Sequence, residues 1–199
     1  MKILALELSS SRGSLAWLDG DIELTREWPN DRKNSAAFFE NIQAVRRKVG
    51  APETITVGLG PGSYAGTRIA ISAAIGIQLS CDARLIGYPS ICAMKCDAPE
   101  YCVIGDARRK SFFFARILNN DLTEGPMLLS EVELKAKLES LDPATSVFSS
   151  ELLSQFQRAI TCFPSALILA RLAKEPRQSF CLPPLGPLYL REPHITIPK

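Results

Sequence analysis

The chain has 199 residues, 46% of them hydrophobic and 22% charged, with a formal net charge of +2. That is enough apolar material for one substantial core or two small lobes, and it excludes a disordered chain. It also excludes a domain that grips nucleic acid over a wide basic face, so any RNA involved is held mostly by another chain.

Residues 3–8, Ile-Leu-Ala-Leu-Glu-Leu, read as a buried strand. Glu7 breaks the apolar run too early for a signal-peptide core, and no stretch approaches the roughly 20 apolar residues of a membrane span. A soluble, cytoplasmic protein is the expectation. Ser9 to Gly13 is a turn, Ser14 to Leu18 a second strand, Asp19-Gly20 a hairpin signal, and Ile22 to Trp28 a third strand. After the polar loop Pro29–Asn34 the period changes. Phe38, Ile42, Val45 and Val49 recur at helical spacing, with Ser35 placed to cap the helix and Gly50 to end it.

Thr54 to Leu59 is the fourth strand. A glycine-rich turn, Gly58-Leu59-Gly60-Pro61-Gly62-Ser63, leads into a helix lasting to about Ser80, and a short strand lies near Leu85-Ile86. A small helix from Pro89 to about Lys95 reaches Asp97-Ala98-Pro99, a boundary between lobes at 1–98 and 99–199. Tyr101 to Gly105 is a strand ending at Asp106; Arg108-Arg109-Lys110 is a polar turn; Ser111 to Leu118 is a strand; and Asn119-Asn120-Asp121 is a turn. Glu131 to Ser140 reads as helix, Thr145 to Phe148 as strand, Glu151 to Ile160 as helix, and Pro164 to about Lys174 as helix. The proline-rich tail from Pro176 is expected to run over the surface.

The two halves are alike in plan. Each starts with a strand, a carboxylate (Glu7, then Asp106), a short turn and a second strand, and each later alternates helix, strand and helix. Hairpins followed by crossover helices give mixed sheets covered by helices. The expected fold is α/β, a pair of ribonuclease-H-like lobes.

The segment 58–69 is the most specific feature. A glycine-rich turn opening a helix exposes backbone N–H groups and suits anions, with Ser9, Ser10, Gly60, Gly62 and Ser63 as candidate phosphate contacts beside Glu7. The same residues also read as a tight strand-to-helix turn. No Lys follows for a Walker A loop, and the pattern is not a Rossmann fingerprint. The helix after it is apolar nearly all round, so it is buried on more than one side. Gly66, Ala70, Ala73 and Ile77 form a mostly small stripe, which allows close approach of a partner or packing against the helix of Phe38–Val49. Glu7 and Asp106 are candidate Mg²⁺ ligands, or simply polar strand ends. Arg108 and Arg109 are candidate phosphate contacts, or a solvated turn. The Phe112–Phe114 run reads as strand core.

The lone histidine, His194, excludes a His-based metallohydrolase and a Ser-His-Asp mechanism, and reads as a surface residue. The six cysteines form no C-x-x-C pair. Cys81, Cys92, Cys96, Cys102, Cys162 and Cys181 read as buried apolar thiols of a reducing compartment rather than as metal ligands or disulfides.

Four motifs in order resemble the TsaB (YeaZ) family: Ile3–Ser10, Gly60–Ile69, Asp106-Ala107-Arg108-Arg109 and Pro187-Leu188-Tyr189-Leu190-Arg191. They span nearly the whole chain. The resemblance implies the actin/Hsp70/sugar-kinase (ASKHA) superfamily. It implies a role without chemistry of its own in forming N6-threonylcarbamoyladenosine at position 37 of tRNA, as partner of a TsaD-like catalytic subunit joined by a TsaE-like ATPase. It further implies tRNA contact only indirectly, no cofactor bound alone, ATP or ADP at the shared surface of the complex, and pairing with itself when alone. The partner surface it implies is made by the two helices of the first lobe, with Phe38, Ile42, Val45, Gly66, Ile69, Ala70, Ala73 and Ile77 as its residues. The family more often has Asp where this chain has Glu7. The rival readings are an independent small-molecule kinase or metal-dependent hydrolase of the same fold, and a ribonuclease-H-type nuclease needing a carboxylate cluster on one lobe.

Overall fold

The computed structural model describes residues 1–30 and 35–191. His194, the end of the tail and most of the Pro29–Asn34 loop lie outside them. Among the described residues, ten strands form two five-stranded sheets. The first contains β1 (Ile3–Glu7), β2 (Arg12–Asp19), β3 (Ile22–Pro29), β4 (Thr54–Gly58) and β5 (Arg84–Tyr88), in the order β3-β2-β1-β4-β5. The second contains β6 (Glu100–Asp106), β7 (Ser111–Leu118), β8 (Asp121–Ser130), β9 (Ser146–Ser149) and β10 (Ala159–Thr161), in the order β10-β9-β6-β7-β8. β1 pairs antiparallel with β2 and parallel with β4, and β6 does the same with β7 and β9. The two sheets therefore share one topology. The fold is α/β, two lobes that each have ribonuclease-H-like topology.

The alternation of side chains along β1 divides the first lobe. Leu4, Leu6 and Leu8 face the helices α1 (Ala36–Val49) and α2 (Tyr64–Cys81), which bring Phe38, Ile42, Val45, Ala70, Ile71, Ala74 and Ile77 onto them. Ile3 and Ala5 face the other way, toward Tyr101, Val103, Phe113 and Ile117 of the second sheet. Between the sheets lies α4 (Ala166–Leu172), which inserts Ala166, Leu169 and Leu172 into this common core. Each fully buried Leu or Ile here contributes about 1.5–3 kcal/mol. Two polar groups at this core are paired: Ser14 Oγ accepts the Ala166 N–H at 2.9 Å, and the Tyr88 hydroxyl donates to Asn120 O at 2.6 Å. On the far side of the second sheet, α3 (Glu131–Glu139) lays Leu134 and Leu138 on Ile104 and Phe114. α3 starts where a capping box forms: Ser130 Oγ accepts the Glu133 N–H, and the Glu133 carboxylate accepts the Ser130 N–H at 2.7 Å.

Several expectations are corrected. β8 was not expected from the sequence. Gly125-Pro126 interrupts its pattern, and such a break is tolerated because β8 is an edge strand with irregular register opposite Phe114–Ile117. The helix expected over 151–160 is absent; residues 150–158 are turns, followed by β10. Arg158 explains part of this. Its guanidinium donates to the carbonyls of Leu138, Leu141, Asp142 and Thr145, which ties the segment to the end of α3. The small helix at 89–95 is a single 3-10 turn, Ser90–Ala93. Ser35 sits at the start of α1 but makes no side-chain capping bond. The tail does not merely cross the surface. Cys181 pairs with Gly87 on the edge of β5 through two backbone bonds of 2.8 and 2.9 Å, and Leu188 N–H donates to Leu59 O at 2.8 Å. The tail thereby covers an open strand edge.

Candidate functional site

The carboxyl ends of β1, β4, β6 and β9 converge on one side of the molecule, where ligands gather in open α/β sheets. They enclose a cleft of about 470 Å³ between the lobes. Its walls come from the turn Ser9–Ser11, the loop Pro61–Ser63 with the start of α2, the turn Asp106–Arg108, Ser150–Glu151, and the tail from Pro187 to Arg191.

The glycine-rich turn is built against the end of β1. Ser63 N–H donates to Ser9 O at 2.6 Å, and Ser63 Oγ caps α2 by accepting the Gly66 N–H at 3.2 Å. Gly62 has φ +157°, and a Cβ there would overlap Ser9 O; a Cβ on Gly66 would overlap Leu8 O. Gly60 N–H donates to Ser90 Oγ at 2.9 Å, and Leu59 N–H to Tyr88 O at 2.8 Å. The amides of Leu59, Gly60 and Ser63 thus hold the turn to the protein itself. Ser9, Ser10 and Ser63, with Gly62, line the cleft; Gly60 does not.

The two carboxylates differ. Glu7 is fully buried and does not line the cleft. Its Oε1 accepts the Ser9 N–H at 2.6 Å, and its Oε2 lies against Gly58 and Ser90 without a hydrogen bond of regular geometry. Burial raises its pKa above the ordinary 4.5, opposed by hydrogen bonding from Ser9 and Ser90. Asp106 lines the cleft half-buried and is bound by its own turn: Oδ1 accepts the Arg108 N–H at 2.7 Å, and Oδ2 accepts from the Arg108 guanidinium at 3.0 Å. The Asp106 N–H donates to Glu151 Oε2 at 3.3 Å, which holds the Glu151 side chain at the end of β6 beside the cleft. Arg108, Arg109 and Lys110 are exposed and all have positive φ, between 53° and 64°. For three successive residues with side chains this backbone is uncommon, and the Asp106 bonds offset its cost. Among the described residues no group of three or more His, Cys, Asp or Glu is placed to hold a metal ion.

On the opposite side of the first lobe, Phe38, Ile42, Val45, Ala70 and Ile77 are buried in the chain's own core, and Gly66 is buried against β1. Of the eight residues named for a partner surface, Ile69 and Ala73 are partly exposed. Together with Phe39, Arg68 and Ser72 they line a shallow hollow that both helices share. Phe39 is 51% exposed, and Leu79, farther along α2, is 82% exposed. Sequence reasoning missed Phe39. The Phe38-Phe39 doublet was the signal, because adjacent helical residues point about 100° apart and both rings cannot enter one core.

The cleft is also closed by the tail. Tyr189 packs on Tyr64 with ring centroids 5.5 Å apart, and the Arg68 guanidinium lies 5.0 Å from the centre of the Tyr64 ring.

No family model matches the chain, and no curated protein does. Solved structures do. A protein from Pseudomonas aeruginosa described as uncharacterized, with similarity to the peptidase YeaZ, is 19% identical with a TM-score of 0.74; the match covers 96% of this chain and 99% of that one. YeaZ from Pseudomonas aeruginosa is 18% identical with a TM-score of 0.70, over 87% of this chain and 90% of that one. The chain therefore has a YeaZ-like fold over nearly its whole length. No helix among the described residues is long and apolar enough to cross a membrane.

Proposed function

We propose that this chain is a TsaB (YeaZ)-type partner subunit, supporting a TsaD-like transferase in forming N6-threonylcarbamoyladenosine at position 37 of tRNA without chemistry of its own. The observation that carries the reading is the correspondence with a YeaZ-like fold over 96% of this chain and 99% of the matched one. The four sequence motifs add to it, since they fall on β1, on the turn into α2, on the Asp106 turn and on the tail that closes the cleft. The hollow between α1 and α2, with Phe39, Ile69 and Ala73, is the surface offered to the partner, and to a second copy when the chain is alone. In this reading a TsaE-like ATPase joins the complex, ATP or ADP is held at the shared surface rather than by this chain alone, tRNA contact is indirect, and the compartment is the cytoplasm.

The test is co-elution with the TsaD-type protein of the same source, followed by a tRNA threonylcarbamoylation assay with and without this chain. A complex with dependent activity supports the subunit role. No complex and no dependence, with both proteins folded, returns the cleft beside Asp106 and Glu151 to the rival reading of an independent kinase or hydrolase.

A further inference from the structure

The chain passes between the sheets twice. It leaves the first sheet through residues 94–99 and returns through residues 162–165, ahead of α4. The two crossings lie side by side and antiparallel, with Met94 opposite Pro164. The flanking bonds, Lys95 N–H to Phe163 O at 3.0 Å and Ser165 N–H to Ala93 O at 2.9 Å, make Met94/Pro164 a non-hydrogen-bonded pair. Two residues beyond this bridge on each connection, past the end of the short pairing, stand Cys96 and Cys162. Their own N–H groups bond elsewhere, to Met94 O at 2.8 Å and Ser149 O at 2.9 Å. Side-chain placement brings the Cys162 thiol to the Lys95–Cys96 peptide. Cys162 Sγ donates to Lys95 O at 3.4 Å, and Cys96 packs against the core cluster that contains Cys162.

We propose that Cys96 and Cys162 form an oxidisable pair, whose disulfide ties the outgoing and returning connections between the lobes at the side of the common core. Both thiols are free in the present structure. Oxidation removes two electrons and two protons. With a low-molecular-weight disulfide such as oxidised glutathione, the thiolate of the half-buried Cys96 attacks one glutathione sulfur and expels one glutathione thiolate. The Cys162 thiolate then attacks the Cys96 sulfur of the mixed disulfide and expels the second. Burial raises the pKa of both thiols, so the exchange is slow near neutrality and quickens as pH rises. The inference is independent of the function proposed above.

The experiment uses the full chain, incubated with oxidised glutathione at mildly alkaline pH, then denatured, alkylated and analysed by intact mass and peptide mapping. The expected result is alkylation of four of the six cysteines, with a linked Cys96–Cys162 peptide about 2 Da lighter than its reduced parts. The cross-link should raise the midpoint of thermal unfolding by about 5–10 °C, reversibly with dithiothreitol. In Cys162→Ser the reaction should stop at a glutathione adduct on Cys96. A wild-type protein that keeps six alkylatable thiols, holds a stable glutathione adduct on Cys96, or links either cysteine to a different one overturns the proposal. Circular dichroism of Cys162→Ser and Cys96→Ser checks that each variant is folded.

Discussion

In the first half of the chain, β4 reaches β5 through α2, an 18-residue helix that is capped at Ser63 and buried along one face. In the second half, β9 reaches β10 through turns at 150–158, and Leu152 there is 87% exposed. The strand order is the same on both sides of the molecule. The difference shows that the sheet topology does not require both crossover helices. The second sheet is covered by α3 on its outer face and by the common core on its inner face, so a shorter connection leaves little apolar surface open to water. The starting carboxylates differ in the same sense. Glu7 is locked under its lobe, while Asp106 stays at the cleft and holds a left-handed turn in place.

The comparison can be broken first at the crossover. Ala70→Arg places a charge in the core beneath α2 and should cost about 3–5 kcal/mol, read as a collapse of the urea midpoint. Leu152→Arg, in the corresponding connection of the second half, should change stability by less than about 0.5 kcal/mol. Equal losses would mean that the second connection is core as well. Arg158→Ala should cost about 1–2 kcal/mol, because it removes the bonds that tie the turned segment to the end of α3.

The carboxylates give a pH test. A folded-state pKa above the ordinary 4.5 means the folded protein holds the Glu7 proton more tightly than the unfolded chain does. That contribution is complete below 4.5 and is lost as pH rises through the raised value. Glu7→Gln should therefore be more stable than the parent at pH 7, by about 1–2 kcal/mol, with the advantage vanishing toward pH 4. Asp106→Asn, which removes only a half-exposed ion pair with Arg108, should alter stability by less than about 0.5 kcal/mol at pH 7. The smallest effect on stability is expected from Ala73→Glu on the outer hollow. Circular dichroism and the melting curve should stay unchanged, while pairing with the proposed TsaD-like partner weakens more than tenfold, read by titration calorimetry. Normal pairing by that variant would move the partner surface elsewhere.

Much of the first lobe was legible because its signals are local. Ile3–Glu7 is a continuous buried run, Asp19-Gly20 announces a hairpin, Ser63 and the glycines before it announce a helix start, and Phe38, Ile42 and Val45 share one stripe. β8 and the turned segment 150–158 were not legible. Leu122 to Leu129 carries a glycine and a proline that local reasoning assigns to a turn, and only pairing with β7 makes it a strand. Glu151 to Ile160 has helix-forming residues, but the short link between β9 and β10 and the demands of Arg158 override them. The site was half legible. Ser9 and Ser63 were named from the turn chemistry, whereas the burial of Glu7 and the placing of Asp106 and Glu151 in the same cleft depend on contacts across the fold.

By itself the sequence determined the two-lobed α/β plan, the strand that carries a carboxylate in each half and the turn into α2. These rest on periodicity, turn chemistry and spacing, which act over a few residues. The tertiary structure alone decided which carboxylate faces the cleft, which side of α1 and α2 remains open, where the tail binds, and that the Cys162 thiol lies at the Lys95 carbonyl beside Cys96. Each of these is a pairing between residues far apart in the chain, and its free energy appears only when the sheets pack and exclude water between them.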